Sequence, residues 1–65
     1  MEAFVELTQQ FGLDRDIAWL VIQEMDEDPG HLSIRLYRSF MLQARTGMSA
    51  TAADRFLRQH YEVTS

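Results

Sequence analysis

The chain has 65 residues, a net charge of −4 and no cysteine. That length allows one domain, residues 1–65, with a marginal core, because a chain of this size buries only about 60% of the surface its unfolded form exposes. Disulfides are excluded, and His31 and His60 alone, far apart in sequence, cannot make a zinc site, so no metal or other cofactor is expected.

The first segment sets Phe4, Leu7 and Phe11 on one helical face, and Gly12 follows where a C-terminal cap belongs. Asp14 is placed to cap a second helix, with Asp16 favourable in its first turn. That helix carries the apolar run 17–22 and then Met25, and it is expected to be the central element, with Trp19 and Leu20 in the core. Asp26-Glu27-Asp28-Pro29-Gly30 breaks the chain. Asp28 is expected to cap a third helix that has Pro29 in its first position and runs to about Thr46. Leu32, Leu36, Phe40 and Ala44, joined by Tyr37 and Met41, form its apolar face, with Arg35, Arg38 and Arg45 on another stripe. Gly47 ends it, and Ser49 caps a fourth helix whose inner face is Ala53, Phe56 and Leu57, with His60 or Tyr61. Residues 63–65 are expected to fray. The fold class is therefore all-α, a compact bundle of three to four short helices.

No basic segment precedes an apolar stretch near Met1, and the run 17–22 is far too short to span a bilayer. A soluble, cytoplasmic protein without membrane contact is expected. Charge is unevenly placed. Residues 1–30 hold eight acids against Arg15, whereas residues 31–65 hold five arginines against Asp54 and Glu62. Either the two halves pack together and neutralise each other, or one presents a binding patch.

Asp26, Glu27 and Asp28 are the candidate protein-binding residues, since acids at a helix end oppose its dipole and a basic partner would offset that. A solvated turn accounts for them as well, and charge runs are usually exposed faces of that kind. A calcium loop does not, because the glutamate such a loop needs at its twelfth position is here Tyr37. No residue set combines a nucleophile, a base and an orienting group, and no glycine-rich phosphate loop is present, so an enzyme is not expected. Neither His31 nor His60 has an acid or serine at a spacing that would pair with it.

Residues 42–57 carry one further pattern: Gly47 in a tight turn, Met48 after it, Ser49 as cap, then Ala53 and Phe56 on the inner side of the next helix. This resembles the helix-turn-helix of DNA-binding regulators. It departs from that family at Gln43, where close packing usually calls for alanine. The resemblance implies a corner over residues 40–59 with Ala50, Thr51, Asp54 and Arg55 toward base edges and Arg45 and Arg58 on phosphates. The same corner also reads as a plain cap between packed helices. The seven aromatic residues are many for so small an interior, which points to an apolar patch, to a homodimer, or to a generous core with half-exposed tyrosines. Two functions remain open: a non-enzymatic regulatory or adaptor protein that binds another protein, and a small helix-turn-helix transcriptional regulator.

Overall fold

A computed structural model describes residues 2–62, leaving the expectation for residues 63–65 outside the described part. Four helices follow one another, α1 (Glu2–Gln9), α2 (Arg15–Met25), α3 (Ile34–Thr46) and α4 (Ala50–His60), and the described residues contain no strand. Each helix packs on its neighbour in sequence, and α1 also meets α4, so the four close into a ring without diagonal packing. The radius of gyration is 11.1 Å, close to the value of about 10.7 Å that chain length alone gives for a folded domain.

Local chemistry sets the helix ends. Beyond α1, Gly12 takes φ +68°, and the Leu13 N–H donates to the Leu7 carbonyl at 3.1 Å, satisfying an orphan acceptor. Asp14 holds the N-cap position of α2 in an extended conformation, although its side chain makes no capping bond. Gly47 closes α3 at φ +75° and donates to the Gln43 carbonyl at 3.0 Å, a conformation that costs a residue with a Cβ about 1–2 kcal/mol. Ser49 then caps α4 through its hydroxyl, which accepts from the Ala52 N–H at 3.1 Å.

The start of α3 differs from the sequence expectation. Its cap is Ser33, whose hydroxyl accepts from Leu36 N–H, and the helix begins at Ile34. Asp28 instead accepts from the Gly30 N–H at 2.9 Å, a local side-chain turn that competes with capping. Pro29 therefore lies in the connection rather than in the first helical turn.

The core consists of Ala3 and Leu7 of α1, Ala18, Val21, Ile22 and Met25 of α2, Leu42 of α3, Met48 from the corner, and Ala53, Phe56 and Leu57 of α4. Completely burying a side chain such as Phe56, Leu7 or Leu42 contributes about 1.5–3 kcal/mol. No polar or charged residue is buried among the described residues. Two core expectations are corrected. Trp19 and Leu20 are 42% and 51% exposed, because α2 turns its 18-21-22-25 face inward and leaves them on its flanks. Trp19 stacks on Phe4 at 4.6 Å between ring centroids. In α3 most of the expected apolar face likewise turns outward: Leu36 and Phe40 are 46% and 49% exposed and Ala44 is exposed, whereas Tyr37 is half-buried, Met41 packs partly buried against the core, and Leu42 alone is fully buried.

Candidate binding surface

Four of the five arginines in residues 31–65 meet carboxylates of the same chain. Arg35 of α3 donates to Asp54 and Glu62, tying it to α4 and to the residues after it. Arg38 donates to the Met25 carbonyl at 3.1 Å, reaches toward Asp26 at 3.9 Å and lies over the Tyr61 ring at 4.8 Å. Arg45 pairs with Glu24 of α2 at 2.9 Å, and Arg58 pairs with Asp54 at 3.1 Å along α4. These contacts fix several ionisations. The Arg35 hydrogen bond, with Arg58 adding, holds the Asp54 carboxyl below its ordinary range. Hydrogen bonding to Glu62 and Asp54 raises Arg35, and the bond to Glu24 raises Arg45. Partial burial pushes the Tyr37 hydroxyl up, with the Glu27 and Glu24 carboxylates adding to the shift. Tyr61 is pushed up the same way by burial, with Asp26 adding.

Of the residues implied by the helix-turn-helix resemblance, Arg45 and Arg58 are thus both engaged by carboxylates, while Thr51 and Arg55 are exposed on α4. Arg55 enters no ion pair among the described residues. Arg45 and Arg58 are each held through Nε, and both side chains are more than half exposed, which leaves guanidinium donors facing solvent. The acidic turn is exposed throughout: Asp26 faces Arg38, Glu27 lies near Tyr37, and Asp28 is bonded to Gly30.

A second feature escaped the sequence reading. His60 does have an acidic partner: its Nε2 lies 3.1 Å from the Glu6 carboxylate, and the two side chains are only 9% and 16% exposed. The imidazole packs on the Phe56 ring at 4.7 Å between centroids. With 54 positions between the two residues, no local spacing signals the pair, which exists because α1 folds back onto α4. It borders a concavity of about 370 Å³ lined by Glu2, Val5, Glu6, Gln9, Gln10 and His60. A carboxylate-oriented imidazole can accept or deliver a proton, but none of these six residues offers a hydroxyl or thiol nucleophile.

Part of the remaining surface is apolar. Among the described residues Val5, Ile17, Trp19, Leu20, Leu32, Ile34, Leu36 and Phe40 are large hydrophobics left more than two-fifths exposed. Four of them lie on α3 or just before it. Leu36 and Phe40 stand one turn apart, so their side chains meet on one ridge. The described residues contain no helix long and apolar enough to cross a membrane and no group of acids and histidines able to hold a metal. No family model matches the chain, and neither a curated protein nor a solved structure matches it.

Proposed function

We propose that this chain is a small non-enzymatic adaptor or regulatory protein that binds another protein through the outer face of α3. One observation carries the reading. The longest helix of the bundle buries a single residue, Leu42, while Leu36 and Phe40 on its opposite side are about half exposed. An unpaired apolar ridge of this kind on so small a body tends to mark an interface. The absence of cysteine agrees with a reducing, cytoplasmic setting.

The test compares the parent chain with a Leu36→Ser/Phe40→Ser double variant. Circular dichroism should report the same helical content for both, since neither side chain is in the core. Affinity capture from nuclease-treated extract should yield a partner with the parent that is lost with the variant and persists in 0.5 M salt. Retention by both forms would refute the role of this face. Loss on nuclease treatment, with steep salt dependence, would instead favour DNA binding.

A further inference from the structure

The outer row of α3 carries no charge of its own. Leu36, Phe40 and Ala44 follow one another at a spacing of four, so they form one ridge, and all three are exposed. The charged residues of α3 lie on its other side, where Arg35, Arg38 and Arg45 reach α4 and the end of α2. Within the helix the ridge is bordered by Ser39 and Gln43 on one edge and by Tyr37 on the other. The Gln43 amide donates to the Ser39 hydroxyl at 3.0 Å. Neither edge selects a cationic or an anionic occupant.

Both edges do suit a copy of themselves. When two such helices pair antiparallel about a two-fold axis, each edge meets its own counterpart. A charged edge would repel itself there, whereas Ser39 and Gln43 both donate and accept hydrogen bonds. Side-chain size points the same way. With Phe40 of each copy at the axis, Leu36 of one falls opposite Ala44 of the other, a long side chain against a short one at both ends of the ridge. The Glu27 carboxylate, which approaches the Tyr37 hydroxyl, is the charge to be accommodated. Tyr37 stands three residues before Phe40, so the antiparallel pair separates the two Tyr37 side chains by about 9 Å along the axis. That is close to the Debye length of about 10 Å at 0.1 M salt, and the repulsion is largely screened.

Area sets the strength. A specific interface buries about 800 Å² on each side, nearly a fifth of the 4503 Å² that this chain exposes. One ridge on one of four helices covers less, so the contact is weak and reversible.

We infer that the outer row of α3 is covered by a second copy of the chain, in an antiparallel pair with Phe40 at the two-fold axis and Leu36 set against Ala44. The inference rests on the adaptor reading for its face and adds a regulation: a partner gains the row by replacing the second copy.

The experiment follows amide chemical shifts of the isotope-labelled 65-residue chain from millimolar to micromolar concentration, with sedimentation equilibrium to give the mass. Dilution should convert a dimer into a monomer, with shifts centred on Leu36, Phe40 and Ala44. Each copy carries a charge of −4, so 0.5 M salt should strengthen the dimer, by about threefold, rather than dissolve it. Phe40→Ser should weaken it at least tenfold. Ala44→Leu is the sharper variant. It adds apolar surface at an exposed helical position and would strengthen an unspecific contact, but here it fills the space that Leu36 needs and should weaken the dimer at least fivefold. The double variant Leu36→Ala/Ala44→Leu reverses the order of long and short and should recover the affinity. A monomer at millimolar concentration, shifts centred on Trp19 and Leu20, or a tighter dimer with Ala44→Leu would overturn the inference. Complexes captured from extract should hold the partner or a second copy, and one that holds both would overturn the replacement. A monomer that still captures a partner through Leu36 and Phe40 sinks the dimer and leaves the adaptor reading standing. A monomer that captures nothing there removes both.

Discussion

The helices α3 and α4 are separated only by Gly47, Met48 and Ser49, and each has a serine cap and an amphipathic sequence, yet they use their apolar residues in opposite ways. In α4, Ala53, Phe56 and Leu57 are all buried, and its other face is polar. In α3, Leu42 is buried, while Leu36 and Phe40 look outward. A helix with one apolar stripe has only one way to face a core. A helix with two must be oriented by its neighbours, and here Arg35, Arg38 and Arg45 reach α4 and the end of α2 from its inward side. Leu42 and Met41 pack inward with them, and the larger stripe is left to solvent.

Substitutions should separate the two helices clearly. Phe56→Ala is expected to have the largest effect, about 3–5 kcal/mol, enough to unfold most of a domain with marginal stability. Loss of helical signal by circular dichroism at 25 °C is the measurement. Within α3, Leu42→Ala should cost about 2–5 kcal/mol in urea titrations, whereas Phe40→Ala should cost no more than about 1 kcal/mol because half of its surface is already in water. Equal losses at the two positions would mean that α3 is rotated relative to this description.

The caps offer a finer comparison. Ser49→Ala removes a hydroxyl that accepts from Ala52 and should cost about 1 kcal/mol. Asp14→Ala removes a side chain without a capping bond, so a shift of only about 0.5 kcal/mol or less is expected in the same titration. The smallest effect concerns Asp54. Its carboxyl titrates lower in the folded chain than in the unfolded one, so its contribution is complete above about pH 4 and is lost as pH falls through the folded value. The difference in melting temperature between the parent and Asp54→Asn should accordingly shrink between pH 5 and pH 2, and salt should reduce it.

The all-α class, the corner at Gly47 and Ser49 and the inner face of α4 were legible because each rests on local signals: a glycine that can take positive φ, a capping hydroxyl, a single stripe. The beginning of α3 was not. Asp28 and Pro29 carry the composition of a helix start, but Asp28 bonds to Gly30 and Ser33 provides a competing cap five residues later. Leu20 and Trp19 misled for a different reason: α2 is apolar nearly all round, and such a pattern does not say which side its neighbours cover. The Glu6–His60 pair was invisible because nothing nearer than the closed fold brings its members together. Of the proposed surface, only the excess of apolar residues could be read. Which side of α3 carries it depends on contacts between helices.

The closed ring of helices also bears on how the molecule assembles and opens. Three of its four junctions join helices adjacent in sequence, a pattern of near-neighbour contacts associated with folding in microseconds to milliseconds. The fourth junction brings α1 to α4. At eight residues α1 is too short to hold its helix alone in water, so its order depends on Ala3, Leu7, the Phe4–Trp19 stack and the Glu6–His60 contact. Those attachments can be released while the α2–α3–α4 core around Phe56 and Leu42 stays packed. Amides of α1 should therefore exchange with solvent through a partial opening of lower free energy, while those beside Phe56 wait for the whole chain to unfold.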